Sequence, residues 1–385
     1  MNKGGENMKE GWKMVKLGEI CETSAGGTPS KMHKEYYEGG KIPWMLSGEV
    51  CQKYIYEVEH YITSEGLENS SAKIFPINSV VVAMYGATAG QVGILKIESS
   101  TNQAVCGILP NDKMFPEFLY YYFLYYKDIL VAQAVGNAQP NISQQKIKAV
   151  EIPLLSLEEQ HRIVSILDAA FAKIDALKKN AEENLANAKA LFQQVLAQEL
   201  KPKEGWVEKK LTDISENLDY KRIPITKNVR KSGKFPYYGA SGIVDYVNDY
   251  LYDEDLLLIS EDGANLLART TPIAFSVSGK IWVNNHAHVL RFNNLTLQKF
   301  VEYFIAGFNI TPYVTGMAQP KLNQKALEKI IISFPTDIEE QHRIVSTLDT
   351  LSEKCRRLEE VAQQTIRECD ALKQSILRKA FSGEL

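Results

Sequence analysis

One stretch of this chain occurs twice. EEQHRIVS stands at Glu158–Ser165 and again at Glu339–Ser346, an offset of 181 residues, and each copy is followed by Leu-Asp (Leu167-Asp168, Leu348-Asp349). Upstream, Ala138-Gln139-Pro140 recurs as Ala318-Gln319-Pro320, and EGWKMVKLGEI (Glu10–Ile20) recurs as EGWVEKKLTDI (Glu204–Ile214). The order is variable region, helix, variable region, helix. Shared ends with unlike interiors read as one scaffold used twice to present two different surfaces.

The two helical segments are the most sharply defined. Each opens on acids, Glu158-Glu159 and Glu339-Glu340, which favour a helix N-terminus. Pro153 and Pro335 lie just before, Pro202 and Gly383 follow the ends, and neither segment contains Pro or Gly. A four-three spacing runs Ile163, Leu167, Ala170, Ile174, Leu177, Ala181, Asn184, Ala188, Leu191, Val195. Its copy runs Ile344, Leu348, Leu351, Cys355, Leu358, Ala362, Thr365, Cys369, Leu372, Ile376. That period predicts a coiled-coil seam, with Leu177 and Leu358 inside it. The polar sites Asn184 and Thr365 fall at the same step, either setting register or sitting at a tolerated edge.

Connectivity adds geometry. Region two starts a few residues after the first helix, at Lys201–Lys203, so that helix is expected to hold the regions apart. Forty residues rise about 60 Å. If the second helix packs on the first, it runs back, giving an antiparallel pair and a pseudo-two-fold axis. The alternative is a separate partner for each helix.

Both variable regions read as mixed α/β or α+β. In region one, Ser79–Met84 and Gln91–Ile97 are strand-like, and FPEFLYYYFLYYKDIL (Phe115–Leu130) is an aromatic helix with Pro116 in its first turn. Leu256–Ile259 and Phe300–Ile305 are the counterparts in region two, and Asn102-Gln103 matches Asn285-His286.

Charge is uneven. Region one, Glu10–Leu155, has twelve lysines and no arginine against fifteen acids; region two, Glu204–Thr336, has fifteen bases against fourteen acids. Within region two, Lys221, Arg222, Lys227, Arg230, Lys231 and Lys234 fall in fourteen residues without an acid. Pro224, Gly233 and Pro236 mark this stretch as a loop, and Tyr237-Tyr238-Gly239 follows. Basic side chains beside tyrosines suit phosphate neutralisation with base-edge contact; a solvated surface loop is the plain alternative. The analogous loop in region one, Gly26–Trp44, carries Lys31, Lys34, Tyr36, Tyr37 and Lys41.

Chemistry-bearing patterns are missing. There is no phosphate loop (Ser278-Gly279-Lys280 is followed by Ile281), no G-x-G-x-x-G, no nucleophile elbow, and no Asp/Asn-Pro-Pro-aromatic tetrapeptide of an adenine methyltransferase. His286-x-His288 is not expected to bind metal, because its counterparts are Gln103 and Val105. His161 and His342 are expected to be structural or partner-facing. Five widely spaced cysteines without Cys-x-x-Cys argue against disulfides and zinc and fit a cytoplasmic location. No apolar run is long enough for a membrane span, and MNKGGENMKEGW has no secretory core; Met8 is an alternative start. A net charge of −3 excludes a uniformly basic nucleic-acid binder, so any DNA contact is local.

Together, the twice-used EEQHRIV with its preceding apolar strands (Val150–Leu155, Ile330–Phe334), GGTPS at Gly26–Ser30, IPW at Ile42–Trp44, YYGASG at Tyr237–Gly242 and the terminal LRKAFSGEL (Leu377–Leu385) carry a resemblance. Over nearly its whole length the chain resembles the DNA-specificity subunit of type I restriction–modification systems.

The resemblance implies a non-catalytic subunit without cofactors. Each variable region would be a target-recognition domain reading half of an asymmetric bipartite site in double-stranded DNA. The helices would be a spacer and the docking surface for two methyltransferase subunits, with restriction subunits completing the complex. The implied organisation is recognition domain one at 1–155, spacer helix one at 156–200, recognition domain two at 201–336 and spacer helix two at 337–385. DNA contact is expected from Lys31, Lys34, Tyr36, Tyr37, Trp44, Asn102 and Gln103, and from Lys221, Arg222, Lys227, Arg230, Lys231, Lys234, Tyr237, Tyr238, Ser241, Asn285 and His286. Spacer and docking roles are expected for Gln160, Arg162, Ile163, Leu167, Ile174 and Leu177, and for Gln341, Arg343, Ile344, Leu348, Leu358 and Leu372. Two rival readings stand beside this: a stand-alone DNA methyltransferase or nuclease with a helical insert, and a coiled-coil adaptor that binds only protein.

Overall fold

The structure, a computed structural model, describes residues 12–133, 141–316 and 318–385. Met8, Glu10 and the Ala138-Gln139-Pro140 copy lie outside the described residues. The chain divides into two compact units. Unit one runs to Asn180 and takes in Gln364–Leu385; unit two is Ala181–Gln363. Both are mixed α/β and follow one plan.

The repeated ends pair with each other inside each unit. In unit one, Lys13–Lys16 runs antiparallel to Glu151–Leu154; in unit two, Trp206–Lys210 runs antiparallel to Ile331–Pro335. This clasp explains why the flanks of the repeat are alike: each closes its domain and delivers the chain into a long helix.

Between the clasps lie two sheets per unit. In unit one, five strands run in the order Thr23–Ala25, Val105–Ile108, Val80–Ala83, Val92–Leu95, Tyr54–Ile55, and four in the order Tyr61–Ile62, Ile42–Met45, Ser99–Thr101, Ile74–Phe75. In unit two, one sheet is Glu216–Asn217, Ala287–Arg291, Leu256–Ser260, Ala274–Val277. The other is Gly242–Val247, Ser232–Gly239, Lys280–Val283, Tyr252–Asp253. Runs such as VVVA and LLLIS are buried at every position, as strands covered on both faces should be.

The aromatic helices, Pro116–Ala132 and Leu295–Gly307, pack in the main core of their units. The terminal segment explains its motif. Leu377, Ala380 and Phe381 are buried in the core of unit one, with Phe381 edge-on to Phe118 (5.5 Å) and Tyr122 (5.0 Å). Leu196, near the end of the first long helix, does the same in unit two.

The long helices span Leu157–Glu199 and Ile338–Ser382. In unit one, Lys178 meets Asp370 (2.8 Å) and Lys373 meets Asp175, so the helices meet in opposite chain order. In unit two, Arg343 pairs with Glu199 at 2.7 Å.

Burial along the helices corrects the expected seam. Only every seventh residue is buried through their middles: Leu167, Ile174, Ala181 and Ala188, and Leu348, Cys355, Ala362 and Cys369. The alternate column is less covered: Leu177 at 51% and Leu358 at 54% are exposed, as are Leu191 and Leu372, while Ala170, Leu351 and Thr365 are half-buried. A column of mostly small residues makes a narrow seam, and the leucines set to its side reach past it.

The repeated Leu-Asp acquires a role. Leu167 and Leu348 are core residues, while Asp168 accepts a hydrogen bond from Tyr121 and Asp349 one from Tyr303 (2.6 Å). Burial first, then the facing carboxylate, push both phenols well above their usual range, so they remain donors. Lys53 joins the Asp168 pair. Among the described residues, no helix is long and apolar enough to cross a membrane.

Candidate nucleic-acid interface

In unit one, six of the seven residues expected to contact DNA line one cleft of about 620 Å³: Lys31, Lys34, Tyr37, Trp44, Asn102 and Gln103. Sequence reading missed Thr28, Glu38, Leu46 and His60, which share it. The glycines of GGTPS make the wall possible. A Cβ on Gly26 would lie 2.1 Å from Thr101 Oγ1, and one on Gly27 2.3 Å from the Ala72 nitrogen. Only glycine allows this approach. The loop then receives the Trp44 indole N–H at the Gly27 carbonyl (2.9 Å) and the Tyr37 hydroxyl at the Pro29 carbonyl. Trp44 is therefore buried scaffold, with Tyr37 edge-on to it at 5.7 Å. Tyr36 does not line the cleft; its ring stacks on His33 at 4.8 Å.

In unit two the expected basic loop is partly a strand. Ser232–Gly239 pairs with Gly242–Val247 as a hairpin, and only Arg222–Lys231 is loop with short 3₁₀ turns. Its six bases separate into two groups. Lys227, Lys231 and Lys234 are exposed, and Lys221 lies 5.7 Å from the Tyr220 ring. Both arginines are turned inward, which removes them from the expected contact set. Arg222 bonds Glu261 (2.6 Å) and the Ala287 carbonyl (2.8 Å) and lies 3.3 Å from Asp219. Arg230 lies over the Tyr237 ring at 4.4 Å and bonds Asp245 and the Ile225 carbonyl. Tyr237 is removed too: it is buried, and its hydroxyl accepts the Ile225 N–H at 2.9 Å.

The hairpin tip and the matched loop are tied together. The Asn284 N–H donates to the Tyr238 carbonyl (3.1 Å), and the Ser260 hydroxyl donates to the Ala240 carbonyl. Ser241 and Asn285 are exposed there, Tyr238 is half-buried beside Phe275 (6.0 Å), and His286 faces Asp262 at 2.8 Å. Sequence reading overlooked Ile243, Val244 and Tyr246, all exposed on the same hairpin. The signal was present: GIVDYV is apolar where a half-covered strand should alternate.

Asp219, Glu261 and His288 bring ligand atoms within 4.8 Å of one another. Arg222 sits among these carboxylates and Lys321 reaches Glu261 at 3.1 Å, so the negative charge is already balanced by side chains. His286 and His288 do not converge, since their partners are Asp262 and Asp219.

The expected docking residues also divide. Ile163, Leu167, Ile174, Ile344 and Leu348 are buried within their own units, and so unavailable to a partner. Gln160 and Gln341 are internal ties. Gln160 donates to the Lys113 and Leu155 carbonyls and accepts the Phe115 N–H, and Gln341 donates to the Pro335 carbonyl. Arg162 and Arg343 stay partly exposed while pairing with Glu159 and Glu340. Leu177, Leu358 and Leu372 are the ones that face outward.

Comparison with known proteins agrees with this architecture. The family model for the type I restriction modification DNA specificity domain matches residues 9–187 and 203–368. The MjaIX specificity subunit of Methanocaldococcus jannaschii is 28% identical, over 88% of this chain and 86% of that protein. The EcoprrI specificity subunit of Escherichia coli is 24% identical, over 90% and 89%. Among solved structures, a chain studied for complex assembly and conformational transition of the type I R-M system superposes with a TM-score of 0.77 at 19% identity, covering 99% of this chain and 100% of that one. The HsdS subunit of Thermoanaerobacter tengcongensis gives 0.59 at 20% identity, covering 100% of each. With the family model matched twice, once on each copy of the repeat, the chain belongs to the type I restriction–modification DNA specificity family.

Proposed function

We propose that this chain is the non-catalytic DNA reader and assembly scaffold of a cytoplasmic type I complex. Recognition domain one (1–155) and recognition domain two (201–336) each read half of an asymmetric bipartite site in double-stranded DNA. The spacer helices (156–200 and 337–385) form an antiparallel coiled coil that fixes the unread gap and docks two methyltransferase subunits; restriction subunits join that assembly. One observation carries the reading: the same clasped scaffold is built twice and bears two chemically different polar surfaces. Two unlike heads on one tether demand a split, non-palindromic site, whereas a homodimer reads a palindrome. The opposed ion pairs between the long helices support the antiparallel pairing.

Methylation mapping of a genome carrying this chain with its methyltransferase tests the reading. The expected motif is two unlike half-sites with one fixed gap, and a continuous motif refutes it. The purified chain alone is expected to methylate and cut nothing; turnover by the chain alone favours the stand-alone enzyme.

Phosphate contact in domain two falls to the exposed lysines. Replacing Lys231 and Lys234 with Ala should weaken DNA binding by the complex and lower the slope of log K against log salt by about 0.9 for each phosphate no longer neutralised. An unchanged slope in a salt titration places that strand away from DNA.

A further inference from the structure

The cleft of unit one holds an unusual hydrogen-bonding set. Asn102 Oδ1 accepts the Ala104 N–H at 3.2 Å. A backbone N–H can only donate, so this contact fixes which end of the amide faces inward and leaves the amine toward the cleft. Gln103 Oε1 accepts the Thr28 hydroxyl, so the amine is again the end left for the cleft. Trp44 and Tyr37 have spent their N–H and O–H on backbone carbonyls. Lys31 and Lys34 at the rim can only donate. The lining is thus rich in N–H donors, with exposed Glu38 its one carboxylate among the described residues.

Base edges sort sharply against such a set. Asparagine or glutamine reads adenine by using its oxygen and its amine together, on N6 and N7. Here both oxygens are turned to partners within the protein and the amines are the ends left for the cleft, so adenine's N6 amine would face another amine. Cytosine offers a donor, with the same conflict. Thymine offers a single acceptor beside its methyl group. Guanine alone offers two neighbouring acceptors, N7 and O6, and the cytosine paired with it offers the N4 amine that a carboxylate accepts.

We propose that this cleft is a guanine reader without arginine. Asn102 and Gln103 donate to N7 and O6 of one guanine in the half-site of domain one, and Glu38 accepts from N4 of its cytosine. The inference rests on the reading of domain one as a DNA-recognition domain, and adds which base it selects and through which atoms.

The test uses the assembled complex with its methyltransferase and duplexes in which each base pair of the site is varied in turn. Wild-type complex is expected to select a G·C pair at one position in the half-site of domain one. It should lose about fivefold to a hundredfold in affinity when that guanine is replaced by 7-deazaguanine, which lacks the N7 acceptor. Asn102→Asp keeps an oxygen for the Ala104 N–H and turns the outward donor into an acceptor. It should erase the guanine preference at that position while leaving the half-site of domain two unchanged. If Asn102→Asp fails to fold, the 7-deazaguanine scan on wild type still decides. A complex that selects its split site but shows no loss with 7-deazaguanine anywhere in that half overturns the inference alone. So does one in which folded Asn102→Asp alters no preference, or alters one at adenine or thymine. A wild-type complex that selects no DNA sequence overturns the reading of the whole chain with it.

Discussion

A chain carrying Leu177→Asp and Leu358→Asp is expected to stay folded and to lose its methyltransferase. Both side chains are about half exposed, and surface substitutions of this kind change stability by roughly 0.5 kcal/mol or less. Under the proposed docking role, their cost falls on association. Leu177 and Leu372 are exposed in unit one, as Leu191 and Leu358 are in unit two. A pair of exposed leucines from two long helices suits a partner's helix, the recognition mode in which one amphipathic helix lies against another. Fully burying a leucine against a partner contributes about 1.5–3 kcal/mol, and a buried carboxylate is worse than a truncation. The double variant should therefore weaken methyltransferase capture by at least about a hundredfold. Thermal melting of the chain alone and sedimentation of the mixture separate the outcomes. A collapse in melting temperature returns these leucines to the internal seam, and undiminished co-sedimentation ends their docking role. Ile174→Asp is the contrasting change: Ile174 is buried, and its replacement should destabilise the helices themselves.

The contrast shows where sequence was informative. The repeat announced the duplicated scaffold because its copied segments do one job twice: Trp206–Lys210 clasps Ile331–Pro335 as Lys13–Lys16 clasps Glu151–Leu154. The heptad pattern identified helices Leu157–Glu199 and Ile338–Ser382, but periodicity reports that apolar residues recur, not which column is covered. The cleft of unit one was legible because GGTPS, IPW and Asn102-Gln103 each carried a local signal. Arg222 and Arg230 were misread because local composition cannot reveal a distant partner. Glu261 and Asp245, which turn these arginines inward, lie 39 and 15 residues away. Thr28 and His60 had no pattern of their own; the fold alone brings them to the cleft.

The largest stability effect should come from Asp219→Ala. His288 is fully buried, with Nδ1 2.6 Å from Asp219 and Nε2 2.8 Å from the Leu322 carbonyl. Asp219 also accepts the Val289 N–H at 2.8 Å and faces Arg222, which reaches Glu261; Glu261 in turn faces Lys321. The cluster joins four separate segments of unit two through charges that are mutually compensated. Removing one carboxylate leaves Arg222 and His288 short of a partner in a buried setting, a change that costs about 3–5 kcal/mol. Burial alone would push the Asp219 carboxyl up. The hydrogen bond and charge of His288, the Val289 N–H and Arg222 outweigh it and hold the group below its usual range. A carboxyl lowered on folding contributes stability that is present above its unfolded value of about 3.9 and is lost as pH falls through the folded value. Urea unfolding should therefore show a wide gap between wild type and Asp219→Ala at neutral pH that narrows below about pH 4. A gap under about 1 kcal/mol at neutral pH would mean that water or a rearranged Glu261 replaces the carboxylate without penalty. A gap that ignores acid would place the loss in packing rather than in charge.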